Sequence, residues 1–479
     1  MKDPSRIYRV TLLLASLLTI FYLVAAAVRE NYLAEWQSVQ RQYRDYLEAK
    51  ATDDRGRQLL REYRVELKQV AVPALGAVDR CVSCHPGIDD PRMKGLPNPY
   101  GTHPGDILKH HPVDRYGCTV CHQGQGQATN FHDAKAEDAF WDYPLLGAEQ
   151  TQSSCLACHD AEKLPAGQVA LLREGIRLYQ AKSCGSCHKL EGRGGMLGTA
   201  LDDEGSKTKH QLIMANLKPP HTTARWHEQH FRDPGAVVAG SQMKNQNLTP
   251  REIRALTVYM LALRRRDVPE SYLAPDKIEE KYRALHRPAL SGEEAYKQYC
   301  YACHADGSYG RWEKTFKRFI PAIRGAGLLS IASAEYLTTN IAKGRPGTQM
   351  PNWEGLQKEE ISALVQYLRG PSPSPNPQPP TPAAPGSAGT GAALFGANCA
   401  GCHGATGRGG IAPELNNPTF QQAASDTFIA ATIRNGRKGT AMPAFQRPGT
   451  TGLNDKEIGD VIAFLRTFAP AASAAGGTQ

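Results

Sequence analysis

The chain contains 479 residues, of which 41% are hydrophobic and 22% are charged, and its formal net charge is +9. A chain of this length is too long for one compact core, so we expect several domains. The positive charge does not by itself indicate nucleic acid binding, and no nucleic-acid partner is predicted.

The N-terminal segment has the composition of a membrane anchor. The run from Val10 to Val28 is almost wholly apolar, and it is about long enough to span a bilayer. We therefore predict a single transmembrane helix over residues 1–29.

Positive charges in front of this run predict its orientation. Lys2, Arg6 and Arg9 precede the apolar residues, which favours a cytoplasmic N-terminus and places the rest of the chain outside. A cleaved signal peptide is the alternative, because Ala25-x-Ala27 resembles a cleavage site. The apolar run is long for a signal core, which favours a retained anchor.

Residues 30–70 form a charged, helix-prone segment that follows the anchor. Tyr32, Trp36, Tyr43 and Tyr46 are interleaved with its charged residues. We predict a stalk helix here, or a helix that docks on a partner subunit.

All cysteines of the chain belong to six copies of Cys-x-x-Cys-His, which we number motifs 1 to 6. The motifs are Cys81-Cys84-His85, Cys118-Cys121-His122, Cys155-Cys158-His159, Cys184-Cys187-His188, Cys300-Cys303-His304 and Cys399-Cys402-His403. This spacing is the attachment signal of c-type haem. The histidine that ends each motif is expected to be the proximal iron ligand. We predict six covalently attached haem c groups, in domains that lie in the periplasm of a bacterium.

Disulfides or zinc sites account less well for the cysteine pairs. Disulfides are common in exported proteins, and zinc sites often use Cys-x-x-Cys pairs. Neither kind of site requires a histidine after every pair. The propionates of six haems would also offset the positive charge of the polypeptide.

Motifs 1 to 3 predict a compact trihaem module over residues 71–160. Their first cysteines are 37 residues apart, which leaves too little chain for three separate domains. The histidines outside the motifs are candidate second ligands, and we predict His103, His111 and His132, with His110 as the substitute for His111. The alternative is that they are surface histidines, and the sequence does not assign each one to a haem.

Motifs 4 to 6 are each placed in a similar helical module. We expect module 4 at residues 161–266, module 5 at 290–370 and module 6 at 391–470. An aromatic residue precedes each motif, a methionine lies downstream, and a closing helix has one apolar face. The aromatic residues are Tyr179, Tyr296 and Phe395, and the methionines are Met243, Met350 and Met442.

The closing helix of module 4 has a clear start signal. Thr249 and Glu252 form a predicted capping box, with Pro250 at the first helical position.

Two linkers and a tail separate or follow these modules. Residues 267–289 are predicted to link modules 4 and 5. Residues 371–390 contain eight prolines and predict a semi-extended linker, so module 6 is expected to be a mobile head. Residues 471–479 are expected to be a disordered tail.

Modules 4 to 6 resemble the class I cytochrome c fold repeated three times, which implies a mainly α-helical protein. In that family a methionine is the second axial ligand of the iron. Met350-Pro351 and Met442-Pro443 fit its Met-Pro pattern, whereas Met243 is followed by Lys244. The alternatives to Met243 in module 4 are Met196, Met214, His210, His221, His227 and His230.

The trihaem segment is similar to part of the membrane-anchored multihaem cytochromes. The stretches "DRCVSCHPGIDDP", "THPGDILKHHP", "YGCTVCHQGQGQAT" and "QSSCLACH" carry the similarity. Those cytochromes partner quinol-oxidising membrane complexes of the cytochrome bc or alternative complex III kind. The resemblance implies that the same kind of complex, with cytochrome b or similar subunits, is the partner here.

These observations predict a non-catalytic electron-transfer subunit. Haems with histidine and methionine ligands usually have higher potentials than bis-histidine haems. Electrons are therefore expected to enter near the membrane and to leave from module 6, toward a periplasmic acceptor or a terminal oxidase. The alternatives are a haem enzyme with one open iron position, such as a peroxidase or a reductase of nitrogen or sulfur oxyanions, a docking subunit, and a free periplasmic carrier.

Overall fold

The computed structural model describes residues 4–138, 140–370, 381–438, 440–446 and 452–469. Half of the predicted linker 371–390 and the whole of the predicted tail 471–479 therefore lie outside the described residues.

Helices dominate the described chain, and the predicted mainly α-helical class is confirmed. The longer α-helices are α1 (Pro4–Tyr32), α2 (Glu35–Lys50) and α3 (Asp54–Glu62), followed by Ala170–Ala181, Thr223–Arg232, Pro250–Ala262, Pro275–Leu285, Ala334–Lys343, Lys358–Arg369, Ala388–Asn398, Asp426–Asn435 and Asp455–Arg466. The shorter ones are Cys81–Cys84, Ile107–His110, Val113–Tyr116, Thr119–His122, Phe131–Lys135, Pro234–Val237, Gly292–Ala295, Tyr301–His304, Ala326–Leu329, Ala400–His403 and Pro418–Ala423.

Tighter and wider helical turns and two small hairpins complete the architecture. The 3₁₀ turns are Pro73–Leu75, Pro91–Met93, Gln150–Ala157, Cys184–Ser186, Glu204–Ser206, Lys209–Gln211 and Glu270–Tyr272, and Tyr296–Cys300 is π-helical. The strands β1 (Val70–Val72) and β2 (Ala77–Asp79) pair antiparallel, as do β3 (Arg311–Glu313) and β4 (Arg318–Ile320).

The chain divides into two compact units. The first comprises Met1–Val169, Lys207–Trp226 and Arg266–Ile278, and the second comprises Ala170–Ser206, His227–Arg265 and Glu279–Gln479. The first unit contains motifs 1 to 3 and is called the trihaem unit. It also includes residues 161–169 and 207–226 of the predicted module 4 and residues 267–278 of the predicted linker.

Hydrogen bonds to motif 3 explain why part of the predicted linker belongs to the trihaem unit. The Ala274 N–H donates to the Cys158 carbonyl over 3.0 Å. The Asp276 carboxylate accepts from the Asp160 N–H over 2.8 Å. These contacts hold the segment against the end of motif 3, and the helix Pro275–Leu285 begins there.

Helix α1 contains an apolar window with a mean hydropathy of 2.3, none of it buried in the protein. It is long and apolar enough to cross a membrane, and no other helix in the described part of the chain meets that test. The apolar side chains of this window are exposed, as expected of a membrane anchor.

Helix α2, in the segment predicted as a stalk or docking helix, packs against the trihaem unit. It buries Trp36, Val39, Tyr43 and Leu47, and Tyr43 and Leu47 pack with the fully buried Met93 of the trihaem unit. The side chain of Gln40 adds hydrogen bonds to the carbonyls of Glu66 and Ser83, over 2.9 and 3.0 Å. Helix α2 is therefore packed on the trihaem unit through its buried face.

Modules 4 to 6 share one helix crossing. A glycine in the first helix of each module lies so close to the closing helix that a Cβ atom would overlap a backbone carbonyl. The aromatic residue four positions later contacts a ring of the closing helix. The pairs of glycine and carbonyl residue are Gly175 with Ala255, Gly292 with Ala363, and Gly391 with Asp460. The ring pairs are Tyr179 with Tyr259, Tyr296 with Tyr367, and Phe395 with Phe464, at 5.7, 5.3 and 5.3 Å.

The capping box predicted at Thr249 and Glu252 is present, with Pro250 at the helix start. Equivalent boxes begin the closing helices of modules 5 and 6, at Gln357 and Asn454. Each box satisfies two backbone N–H groups at the helix N-terminus and fixes where the closing helix starts.

Module 6 is packed against module 5 rather than held away from it. Tyr336 and Leu337 of module 5 share one buried core with Phe395, Phe420 and Phe428 of module 6. The ring of Tyr336 stacks on that of Phe428 at 4.4 Å. The expectation of a mobile head was therefore wrong, because the apolar faces of the two modules cover each other.

Candidate haem sites

Each attachment motif forms a tight helical turn that holds its cysteines and histidine on one side. In motifs 1, 2, 3, 4 and 6 the histidine N–H donates to the carbonyl of the first cysteine, over 2.7 to 3.0 Å. Motif 5 ends in the helical turn Tyr301–His304. All twelve cysteines lie in the described part of the chain, and none forms a disulfide. Their thiols mark the positions of the thioether sulfurs that haem attachment would create.

The proximal histidines of modules 4 to 6 are oriented by backbone carbonyls. The Nδ1 atoms of His188, His304 and His403 lie 2.9, 3.4 and 2.8 Å from the carbonyl oxygens of Thr199, Pro321 and Pro413. A proton on Nδ1 that is donated to a carbonyl leaves Nε2 as the free ligand atom. This is the tautomer that binding to a haem iron requires.

The predicted methionines of modules 5 and 6 sit in equivalent loops. The N–H of Met350 donates to the Thr348 hydroxyl over 3.1 Å, and that of Met442 donates to the Thr440 hydroxyl over 3.2 Å. Each threonine hydroxyl donates in turn to the carbonyl of Arg345 or Arg437 over 2.8 Å. The loops share the sequence pattern Arg-x-Gly-Thr-x-Met-Pro, so the repeat was visible before the structure.

Module 4 contains a related methionine loop and a buried histidine. The Met243 N–H donates to the Ser241 hydroxyl over 3.2 Å, just as the methionine N–H groups of the other two modules donate to threonine hydroxyls. His230 lies near enough to His188 for their charges to interact, and burial followed by that repulsion lowers the pKa of His230 to about 4. Both Met243 and His230 therefore remain candidates for the second ligand of this site.

The remaining candidate ligands of module 4 lie in different places. His210, Met214 and His221 belong to the trihaem unit. His227 lies 3.7 Å from the Glu204 carboxylate in a buried pair. Met196 is exposed.

Two of the predicted distal histidines lie beside proximal histidines in the trihaem module. The ring centroids of His103 and His122 are 6.2 Å apart, and those of His111 and His159 are 5.9 Å apart. Two imidazoles that bind one metal from opposite sides, each through a bond of about 2 Å, have ring centroids roughly 6 Å apart. The spacing therefore fits bis-histidine ligation at motifs 2 and 3.

The same two distal histidines are held by backbone groups. The Nδ1 of His103 is 2.9 Å from the Pro104 carbonyl, and that of His111 is 3.2 Å from the Ile107 carbonyl. Both arrangements leave Nε2 available for a metal.

The third predicted histidine is not beside a proximal one. His132 is exposed, and its Nδ1 lies 3.4 Å from Asp133 and 3.8 Å from Asp138. The preceding residue does approach motif 1, because the Phe131 N–H donates to the Glu35 carboxylate over 2.8 Å. Burial, Cys81 and then Glu35 raise the pKa of the Cys84 thiol to about 11.

Motifs 1, 2 and 3 touch one another in chain order. The thiols of Cys81 and Cys118 share a hydrogen bond, which lowers the pKa of Cys81 and raises that of Cys118. The Ser154 hydroxyl donates to the Cys121 carbonyl over 2.7 Å, which joins motif 2 to the residue before motif 3. Burial, with a contribution from Cys158, raises the pKa of Cys121.

A buried carboxylate lies between motifs 1 and 2. The side chain of Asp79 is 1% exposed and accepts hydrogen bonds from the N–H groups of Cys118 and Thr119, over 2.5 and 3.0 Å. The Thr119 hydroxyl adds a third bond of 2.7 Å. Sequence analysis missed this residue, because nothing in the local spacing shows that Asp79 meets a motif 39 residues further on.

Motifs 4 and 5 are also in contact. The Ser183 hydroxyl donates to the Lys297 carbonyl, and the Ser186 hydroxyl donates to the Gln298 carbonyl over 3.5 Å. Burial, then the neighbouring Cys303, raises the pKa of Cys187 to about 12. The second cysteines of the two motifs are therefore neighbours.

Motifs 5 and 6 open into one cavity of about 1190 Å³. Its lining includes both sets of predicted haem contacts. These are Cys300, Cys303, His304 and Met350 of module 5, and Cys399, Cys402, His403 and Met442 of module 6. Two thiol pairs, two imidazoles and two thioethers around a mainly apolar space form the donor set that two covalently attached haems need.

Comparison with known proteins agrees with this donor set. The family model "Cytochrome C oxidase, cbb3-type, subunit III" matches residues 287–368 and 386–465, and the model "Cytochrome c" matches residues 172–264. The cytochrome c-554(547) of Halothiobacillus neapolitanus is 30% identical over 90 residues, which are 17% of this chain and 98% of that protein.

Two FixP subunits of cbb3-type cytochrome c oxidases are also similar. The protein of Bradyrhizobium sp. (strain ORS 278) is 28% identical over 185 residues, which are 35% of this chain and 58% of that protein. That of Azorhizobium caulinodans is 29% identical over 180 residues, 36% of this chain and 57% of that protein. The match therefore spans less than two thirds of either FixP protein. A chain of the Kuenenia stuttgartiensis reducing HAO-like protein complex aligns with a TM-score of 0.27 at 20% identity, covering 38% of this chain and 98% of that chain.

The chain belongs to the cytochrome c family, as a multihaem member with an N-terminal membrane-anchor helix. Its cytochrome c domains imply covalently bound haem c.

Proposed function

We propose that this chain holds six haem c groups and carries electrons along them, as a non-catalytic subunit of a quinol-oxidising membrane complex. Its acceptor would be a periplasmic protein or a terminal oxidase. Haem c supplies reversible one-electron chemistry. The protein supplies the order of the sites, their ligands and their electrostatic surroundings.

The observation that carries this proposal is the contact between successive motifs. Motifs 1, 2 and 3 touch in chain order, motifs 4 and 5 touch, and motifs 5 and 6 share a cavity. Within each of the two units, the order of the sites in space follows their order in the chain. An electron carrier needs such a series, whereas an enzyme needs one site that is open to substrate.

Ligands and charges support a direction of flow. Imidazole pairs at motifs 2 and 3 and the buried carboxylate of Asp79 disfavour the reduced state and lower the potential. Methionine loops in modules 5 and 6 favour the reduced state. Electrons would therefore enter at the trihaem unit, near the membrane anchor, and leave from modules 5 and 6.

The partners are proposed from two sources. The resemblance of the trihaem segment supports a quinol-oxidising complex as the donor. The matches of modules 5 and 6 to a cbb3-type oxidase subunit and to FixP support delivery to a terminal oxidase, with the haem domains on the periplasmic side.

Purification from native membranes in mild detergent tests this proposal. We expect polytopic quinol-oxidising subunits or a b-type cytochrome to copurify, and six haems per chain by haem assay. A protein that purifies alone without its first helix would instead be a free periplasmic carrier. A redox titration in which modules 5 and 6 had the lowest potentials would reverse the proposed direction.

A haem with an open iron position at motif 1 is the second candidate. It is favoured by the exposed position of His132 beside Asp133 and Asp138 rather than beside His85. The optical spectrum separates the two, because a high-spin haem would indicate the open site, and six low-spin haems would indicate electron transfer alone.

A further inference from the structure

The cavity shared by modules 5 and 6 has a mainly apolar wall, but the charges on it are mostly positive. One carboxylate, Glu414, belongs to the lining. The lining cations are Lys317, Arg318, Arg345, Arg408 and Arg437. Four positive charges therefore remain after Glu414 is counted. Two haems would bring four propionates, so the lining carries the opposite charge that they would need.

Arg345 and Arg437 hold equivalent positions in the two modules. The backbone N–H of Arg345 donates to the Met350 carbonyl over 2.9 Å, and that of Arg437 donates to the Met442 carbonyl over 3.0 Å. Each arginine is thus part of the same rigid loop as the predicted methionine ligand.

Both arginines lie where the two modules meet. The Arg345 guanidinium is 5.5 Å from the ring centroid of Phe420 in module 6, and its Nη1 lies 3.4 Å from the Glu414 carbonyl oxygen. The Arg437 guanidinium is 5.2 Å from the ring centroid of Phe428. That ring stacks on Tyr336 of module 5.

Neither guanidinium has a carboxylate partner among the described residues. Arg345 bonds to the Asn340 amide oxygen over 3.2 Å, and Glu414 is paired with Arg318 instead. Arg437 is half-buried at the lining of the cavity. A partly desolvated cation without a carboxylate partner is costly, so an anion is expected in the cavity.

We propose that Arg345 and Arg437 form ion pairs with the propionates of the two haems in this cavity and thereby raise their reduction potentials. This inference rests on haem attachment at motifs 5 and 6, and it deepens the proposed function by naming residues that tune its high-potential end. The arginines would act by charge, because a cation near the haem stabilises the reduced state, which carries one positive charge less. One electron is exchanged with the redox partner, and no bond forms or breaks.

The test is a redox titration of the full haem-loaded chain in detergent. The long-wavelength absorption band of methionine-ligated ferric haem reports on the relevant sites only. Arg437→Gln is expected to change the reduction equilibrium of one such haem about tenfold toward the oxidised state, which is ~59 mV for a one-electron couple. Arg437→Lys keeps the charge and is expected to restore most of the potential.

Lys438→Gln is the matched control. It removes the same charge from the next residue, whose side chain is exposed and does not line the cavity. Its potentials are expected to equal those of the wild type. Equal effects of Arg437→Gln and Lys438→Gln, with unchanged haem content, would overturn the proposal.

Loss of haem from Arg437→Gln would call for the same titration of Arg345→Gln. Wild-type potentials in that variant would overturn the proposal, and a comparable drop would support it. A haem assay of the wild-type chain separates the two proposals. Fewer than six haems, with motifs 5 and 6 loaded, would contradict the proposed function and leave this inference standing.

Discussion

Neighbouring histidines in the trihaem module have different surroundings. His111 is half-buried, with its ring centroid 5.9 Å from that of His159 and its Nδ1 3.2 Å from the Ile107 carbonyl. His110 is the last residue of the helical turn Ile107–His110, directly before His111, and its side chain is exposed. Because an iron ligand must face its proximal partner across the haem, the geometry favours His111 over His110.

Replacement of His111 tests this assignment. His111→Ala is expected to convert one low-spin haem to a high-spin or weakly ligated form, because the alanine offers no donor atom to the iron. Electron paramagnetic resonance of the oxidised protein measures the change, with haem content checked by mass spectrometry.

His110→Ala is the control for this prediction, since it removes an identical group one position away. Its spectrum is expected to match that of the wild type. If His110→Ala produced the high-spin signal and His111→Ala did not, the ligand would be the substitute, His110.

Helix crossings with a glycine at the contact define modules 4 to 6. In module 6 the backbone of Gly391 lies against the Asp460 carbonyl, and a Cβ atom there would overlap it. Gly396, in the same helix, is exposed, and a Cβ there would meet nothing within 4 Å. The two glycines are therefore expected to respond in opposite ways to substitution.

Gly391→Ala is expected to destabilise module 6 by about 1–3 kcal/mol, because the helices must separate to admit the methyl group. Gly396→Ala is expected to stabilise it by about 0.5–1 kcal/mol through helix propensity. Urea unfolding of the haem-loaded protein, followed by circular dichroism, measures both. Equal stabilisation by the two substitutions would mean that the helices are far enough apart at Gly391 to admit a methyl group.

Modules 4 and 5 are held together by a buried ion pair. Glu360 is fully buried and lies 3.0 Å from the Arg193 guanidinium. Its carboxylate also accepts from the Leu290 N–H over 3.1 Å and from the Gln357 N–H over 3.0 Å. The pair joins module 4 to the start of the closing helix in module 5, so it fixes motif 4 relative to motif 5.

Arg193→Met is expected to cost about 3–5 kcal/mol, because the Glu360 carboxylate would stay buried without its cation. Arg251→Met removes an exposed pair with Glu174 and is expected to cost about 0–1 kcal/mol. The free energies of unfolding of the two variants test this difference. A loss of less than 1 kcal/mol in Arg193→Met would contradict the structural role of the pair.

The helical class, the attachment motifs and the capped closing helices could be predicted from sequence, because each depends on residues close together in the chain. Cysteines at i and i+3 with the next histidine define a site within five residues. Thr249 and Glu252 define a helix start within four. These local signals need no knowledge of the rest of the fold.

Contacts between distant residues required the structure. The burial of α2 against Met93, the position of Asp79 between motifs 1 and 2, and the shared core of modules 5 and 6 all join segments far apart in sequence. The predicted mobile head was wrong for this reason, since an apolar or aromatic face shows that it will be buried but not against what.

The sequence by itself determined that this protein is a multihaem cytochrome c with an N-terminal anchor helix, because covalent attachment and helix formation are encoded in short patterns. Only the tertiary structure brought His103 to His122, His111 to His159, and motifs 5 and 6 to one cavity. Those pairings depend on how apolar faces and buried charges satisfy one another in three dimensions, and no local pattern specifies that arrangement.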